Sequence, residues 1–218
     1  MYKIFLSPSR QWENTYSGVN TNEGEQMGRV AEYAEKALKR CGFDVLRVHD
    51  APMSEKVKAA DQFGADLYVP IHSNAYNNKV TGTRLFCSTK GGRGWKACHA
   101  IFDHLAPLTP GTSENIKLNP GLYEVRTPKA PTAYIETEFH DVPEMAHWIV
   151  DHVEEIAEAI THGICDYFGV PYVTPNGDAH GELYRVQVGS FNNREYAEKF
   201  LKTVREDFPD AFIVTVDM

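Results

Sequence analysis

Apolar and polar positions follow two periods along most of the chain. Ile4 to Leu6 form a short apolar run that predicts a strand over residues 2–6. A polar loop, SPSRQWENTYSGVNTN, follows it, and the period then changes. Met27, Val30, Ala31, Ala34, Leu38 and Cys41 recur at helical spacing. Asn22 is placed to cap that helix, Glu25 three residues on completes a capping box, and Gly42 ends it. The same reading predicts strands at FDVLRV, at ADLYVPIHSNA running into His72, at GTRLFCS and at TAYIETEF. It predicts helices over residues 54–63 and over GWKACHAIFDHLA. A long helix is expected from Pro143 to about Phe168, with Met145, Trp148, Ile149, Val153, Ile156, Ile160 and Ile164 on its inner face.

Strands that alternate with helices predict an α/β fold, a mostly parallel twisted sheet flanked by helices over residues 1–170. Sites in such sheets form at the carboxyl ends of the strands, where His72 and the ETEFHD stretch both fall. Residues 171–182 carry Pro, Gly, Asn and Asp without periodicity and read as a linker. LYRVQVGSF, NREYAEKFLKTVRED and AFIVTV then predict a small β-α-β module over residues 183–218. Tyr196, Ala197, Phe200, Leu201 and Val204 form the inner face of its helix. So short a piece buries too little surface alone. It is expected to pair with a second copy, giving a homodimer, or to dock on the main domain.

Charge narrows the choice of partner. The 218 residues carry a net charge of -8, which argues against nucleic acid or an anionic membrane and leaves neutral polymers, carbohydrates and peptides. No apolar run reaches the length of a membrane span. The chain opens on MYKIFLSPS, already a strand, so no secretion signal is expected and the protein would be cytoplasmic until released. Cys41, Cys87, Cys98 and Cys165 lie far apart without a CxxC pair. They read as small buried hydrophobes rather than a zinc cluster or a disulfide frame.

Three groups of residues could carry chemistry. Glu23 opens the first helix, His72 ends a strand, and Glu136, Glu138, His140 and Asp141 cluster at the end of another. Imidazole and carboxylates at strand ends are what an open zinc site needs, with a further carboxylate to move protons. Plainer roles suit the same residues. Glu23 could only favour the helix N-terminus, His72 could bond its own loop, and Glu136 or Glu138 could pair with Arg84 or Arg126.

Over residues 3–168 the chain resembles the zinc-dependent N-acetylmuramoyl-L-alanine amidases, the family of bacterial autolysins and phage endolysins. The resemblance rests on Asn22-Glu23 at the helix start, on RCGFDVLRVHD, on ADLYVPIHSNAYNNKVTGTRLF and on LYEVRTPKAPTAYIETEFHD, in that order. It implies a peptidoglycan hydrolase that cleaves the amide between N-acetylmuramic acid and L-alanine with Zn2+. Glu23 and His72 match two metal ligands and Glu136 matches the catalytic glutamate. Glu138 is a second catalytic candidate, or an orienter of a ligand. YRVQVGSFNNREYAEKFLKTVRED resembles one half of a SPOR repeat, a module that binds glycan strands lacking stem peptides.

One position departs from that family. Its third ligand is a histidine just after the first strand, where this chain has SPSRQW and Arg10. An Arg is always charged and has no acceptor for a metal. His140 is the expected replacement, with Gln11 or Asn14 as alternative oxygen donors; otherwise the site binds no zinc. Arg10 is then free to hold a substrate carboxylate or the tetrahedral oxyanion. Asn74 either contacts sugar or peptide or belongs to an ordinary polar turn. Two rival functions stay open: a catalytically silent peptidoglycan-binding protein, and a zinc peptidase acting on the stem peptide.

Overall fold

The structure is a computed structural model that describes residues 1–112, 115–177, 179–180, 189, 191 and 193–208. The chain divides into two units, Met1–Gly181 and Glu182–Met218.

The first unit is built on a six-stranded sheet of order β2-β1-β3-β6-β4-β5. Its strands are β1 (Lys3–Pro8), β2 (Asp44–Arg47), β3 (Leu67–Asn74), β4 (Arg84–Cys87), β5 (Ile116–Leu118) and β6 (Tyr134–Phe139). β2, β1, β3 and β6 run parallel, whereas β4 runs antiparallel to β6 and parallel to β5. β1 and β3 are buried almost throughout, with apolar runs at Ile4–Leu6 and Leu67–Ile71, as in strands covered on both faces.

Helix α1 (Glu23–Arg40) forms as its pattern predicts, and the Asn22 side chain accepts from the Glu25 amide at 2.9 Å. α2 (Met53–Phe63), α3 (Arg93–Leu105) and the single turn α4 (Tyr123–Arg126) follow. The long helix expected from Pro143 forms as two, α5 (Pro143–Asp151) and α6 (Val153–Phe168). The break is His152, which leaves helical geometry at φ -121°, ψ 26°. Its ring donates from Nδ1 to the Trp148 carbonyl at 2.8 Å and stacks on that indole. α1, α3 and α6 cover one face of the sheet around Met27, Leu38, Ile101, Ile156, Ile160 and Ile164. α3 and α6 approach so closely that a Cβ on Gly163 would lie 2.4 Å from Ile101 Cα. All four cysteines are free and buried.

The segment expected as a plain linker has structure of its own. β7 (Tyr172–Val173) pairs antiparallel with β8 (Ala179–His180). Tyr172 is buried in the main core, and its hydroxyl donates to Glu158 at 2.6 Å.

In the second unit, α7 (Arg194–Asp207) is capped by Asn193, whose side chain accepts from the Glu195 and Tyr196 amides. Tyr196 and Phe200 are exposed, whereas Leu201 and Val204 are half-buried. The flanking strands expected at LYRVQVGSF and AFIVTV fall almost wholly outside the described residues.

Candidate active site

The parallel strands carry their carboxyl ends to one edge of the sheet, and that edge collects the acidic and imidazole groups. β3 delivers His72. Parallel pairing sets His72 opposite Glu136 on β6, and the antiparallel β4 sets Arg84 opposite Glu136 from the other side. α1 delivers Glu23 from its first turn. The loop after β1 lies across that turn: the Gly24 amide donates to the Gln11 carbonyl at 3.2 Å and the Glu23 amide to the Asn14 carbonyl at 2.9 Å. The loop therefore caps the helix with its own backbone.

Glu23 and His72 are buried and meet directly, Glu23 Oε1 lying 2.8 Å from His72 Nδ1. Gln11 Nε2 lies 3.3 Å from the same carboxylate oxygen and 3.4 Å from the same ring nitrogen. Asn14 Nδ2 donates to Glu23 Oε2 at 2.8 Å and to Gln11 Oε1 at 2.9 Å. On the far side of the ring, His72 Nε2 faces Glu124 Oε2 at 3.8 Å, an ion-pair distance rather than a hydrogen bond. Glu124 is held in place through Oε1, which accepts from Ser7 Oγ at 2.5 Å and from the Tyr68 hydroxyl at 2.7 Å. Tyr134 stacks on the imidazole, centroids 4.7 Å apart.

The charges explain each proton affinity. Burial alone would lower the His72 imidazole, but Glu124 and Glu23, with the charge of Glu136, raise it to about 9. Burial would raise the Glu23 carboxyl, yet bonding to and attraction by His72, with Asn14 and Ser9, hold it below its usual range. Glu124 is held low in the same way, by His72, Ser7 and Tyr68 against burial. Glu136 has no such bonds among the described residues. Burial, with the Glu23 charge, lifts it to about 7 against the pull of His72 and Arg84, and its Oε2 is buried without a partner. A carboxyl poised near neutrality can both take and return a proton.

The other expected site residues stand elsewhere. His140 was expected as a ligand, but its Nδ1 bonds Ser73 Oγ at 2.9 Å and its ring stacks on Tyr16 at 5.0 Å. Its backbone explains the turn away: the strand register shifts between His72 and Asn74, and the His140 amide donates to the Asn74 carbonyl. No described set of three His, Cys, Asp or Glu ligand atoms within 4.8 Å of one another includes Glu23, His72 or His140. Glu138 is fully buried, and its Oε1 accepts from the Gly82 amide at 2.5 Å and the Phe139 amide at 2.9 Å. It ties down the loop between β3 and β4 rather than facing His72. Arg10 points outward toward Asp50, 3.6 Å away, on the rim of the cleft. Asn74 Oδ1 accepts from the Ala75 amide, an ordinary turn contact. Asp141 Oδ2 accepts from the Tyr76 and Asn78 amides and holds the same loop.

Glu124 is the residue that pattern reading passed over. It lies in a four-residue helical turn inside a Pro- and Gly-rich loop, too short for periodicity to register. The signal available was a lone carboxylate in LYEVRT, within one of the stretches on which the resemblance rests. Beside it, an open cleft of about 520 Å³ is lined by Gln11, Trp12, Lys56, His72, Glu124 and Tyr134, among others.

The donor set at this edge suits a zinc ion. It offers an imidazole and a carboxylate already in contact, and Glu136 Oε2 is buried without a hydrogen-bond partner among the described residues. A second group, His104, His162 and Asp166, brings its ligand atoms within 4.8 Å of one another. It is packed near Tyr172, which neighbours the C-terminal end of α1 through the Arg40 contact to Val173. Glu23 opens the other end of that 18-residue helix, about 27 Å away. Imidazole stacking and a His104–Asp166 bond of 2.7 Å account for that group without catalysis.

Known proteins resemble the chain in two parts. A family model described as N-acetylmuramoyl-L-alanine amidase matches residues 13–166, opening within the loop that carries Arg10 and Gln11, just past both. A SPOR domain model matches residues 170–216. Among solved structures, the catalytic domain of CwlV, N-acetylmuramoyl-L-alanine amidase from Bacillus (Paenibacillus) polymyxa var. colistinus, superposes with a TM-score of 0.72 at 18% identity. The match covers 78% of this chain and 99% of that one. N-acetylmuramoyl-L-alanine amidase from Clostridium difficile 630 gives 0.67 at 20% identity, covering 77% and 97%. The catalytic domain of the CD27L endolysin targeting Clostridia difficile gives 0.65 at 19%, covering 76% and 98%. No curated protein matches. With the family model spanning well over half of its length and the sheet edge bearing Glu23, His72 and Glu136, the chain belongs to the N-acetylmuramoyl-L-alanine amidases, followed by a SPOR domain, and is a peptidoglycan amidase.

Proposed function

We propose that the sheet edge is a zinc-dependent active site for the amide between the lactyl group of N-acetylmuramic acid and L-alanine. The observation that carries it is the set His72, Glu23 and Glu136: an imidazole and a carboxylate 2.8 Å apart, with a carboxyl raised to about 7 in register beside them. Glu23 and His72 would hold the metal. A bound zinc would supply Lewis acidity toward the scissile carbonyl and the attacking water. Glu136, through its unpartnered Oε2, removes the proton of that water and returns it to the departing alanine amine. Arg84, opposite Glu136, keeps the deprotonated form within reach at neutral pH. Glu124 fixes the imidazole from behind, which is the role a carboxylate plays behind a ligating histidine.

The SPOR domain supplies a second hold on peptidoglycan. Its shortness favours two chains combining their C-terminal units, and light scattering of the full chain at rising concentration should then report a dimer.

Glu136→Gln tests the assignment. The variant keeps volume and removes the base, so hydrolysis of purified sacculi should fall by about 10²–10⁴-fold. Zinc content should stay at the wild-type level. A variant that retains wild-type activity removes Glu136 from the chemistry.

A further inference from the structure

We propose that Gln11 is the third zinc ligand, taking the place the family gives to a histidine. The inference rests on the zinc reading above and names the residue that completes it.

Three atoms form a small triangle at the sheet edge. Its sides are 2.8 Å from Glu23 Oε1 to His72 Nδ1, 3.3 Å from Glu23 Oε1 to the Gln11 amide nitrogen, and 3.4 Å from that nitrogen to His72 Nδ1. Ligand atoms placed about 2.0–2.2 Å from a tetrahedral zinc lie about 3.3–3.6 Å from one another. Two sides already have that length, and the third is shortened by the bond between imidazole and carboxylate. With the Gln11 amide turned so that its oxygen stands where the nitrogen does, the triangle would match one face of such a tetrahedron, leaving the fourth corner for water or substrate.

The elements explain why Gln11 and not Arg10 stands there. The Ser9 amide donates to the Ile71 carbonyl, so the chain leaves β1 still paired to β3. The Gly24 amide then seizes the Gln11 carbonyl, which fixes Gln11 over the first turn of α1 with its side chain toward Glu23. Arg10, one residue earlier, is left facing Asp50. Its neighbour is the side chain with an acceptor oxygen to offer. Without metal the amide donates its N–H to Glu23. To bind zinc it turns over about its last bond, presents Oε1 to the triangle and gives up the bond from Asn14 Nδ2. His140, occupied by Ser73 and Tyr16, takes no part.

The test is zinc affinity of the full chain, measured by competition with a chromogenic chelator and read without reference to activity. All proteins carry His162→Ala, which removes the second group of potential ligands on α3 and α6. Gln11→Ala should weaken zinc at least 100-fold, more than loss of an outer-shell partner does. Gln11→His should tighten it at least tenfold, since imidazole is the better zinc donor. His140→Ala should leave it unchanged. Gln11 is an exposed loop residue, and a metal-free melting curve checks that each variant folds. Unchanged affinity in Gln11→Ala, weakening by His140→Ala, or no zinc binding by the parent protein overturns the proposal. Product release from sacculi separates the two levels. Zinc bound without Gln11 by an active enzyme defeats the ligand alone. Zinc bound through Gln11 by a protein that releases no product defeats the activity alone.

Discussion

Glu138→Gln separates a structural carboxylate from a catalytic one two residues away. Glu138 is fully buried, its Oε1 holds the amides of Gly82 and Phe139, and its Oε2 has no partner. Burial, opposed by those two amides, raises its carboxyl from 4.5 to about 7. The folded state thus holds a proton that the unfolded chain releases. The stability this confers is complete below pH 4.5 and is lost as pH rises through 7. At 1.36 kcal/mol per pKa unit, the full loss is about 3.4 kcal/mol, of which about 2 kcal/mol falls between pH 5 and pH 7. Glutamine keeps the acceptor for both amides and cannot ionise. Urea unfolding of wild type and variant at pH 5, 6, 7 and 8 should show the variant gaining on wild type by about 2 kcal/mol from pH 5 to pH 7, then levelling off. Taking the difference cancels the parallel titration of Glu136. Hydrolysis of sacculi at pH 7 should stay within a few-fold of wild type. A constant difference across pH would refute the burial argument. Loss of activity with the zinc site intact would return Glu138 to the chemistry.

Two further substitutions probe the scaffold. Gly163→Ala should destabilise by at least about 1–3 kcal/mol, since its Cβ would meet Ile101 Cα at 2.4 Å where α3 and α6 cross, and calorimetry should record a lower Tm. Glu124→Ala should cost about 3–5 kcal/mol in urea unfolding at pH 7, because it removes the buried acceptor of Ser7 and Tyr68 and a charge facing His72.

The sequence was most legible where one pattern ran long enough to repeat. α1 was readable to within a residue or so from its cap, its stripe and its terminal glycine, and the buried central strands were readable from their apolar runs. That His72, Glu23 and Glu136 share one edge of the sheet was readable because each lies toward the matching end of such an element, and parallel sheets gather those ends. The rest turned on backbone detail that composition does not carry. The break at His152 depends on a side chain bonding the preceding turn, within a stripe that otherwise continues. β5 and α4 span three and four residues, below any period. Alternation along β6 put Glu136 and Glu138 on one face, and His140 was expected at the same edge of the sheet. The register shift between His72 and Asn74 and the end of the strand at Phe139 send His140 to Ser73 instead. Arg10 was assigned by its place in the loop, and a single residue of loop geometry put Gln11 beside Glu23.

The products that the zinc-loaded protein releases from purified sacculi, identified by mass spectrometry, decide which bond it cleaves. Intact stem peptides bearing free L-alanine amino groups, and glycan strands left with unsubstituted lactyl carboxyls, are expected. New termini inside the stem, or wall binding without any soluble product, would contradict the proposed function.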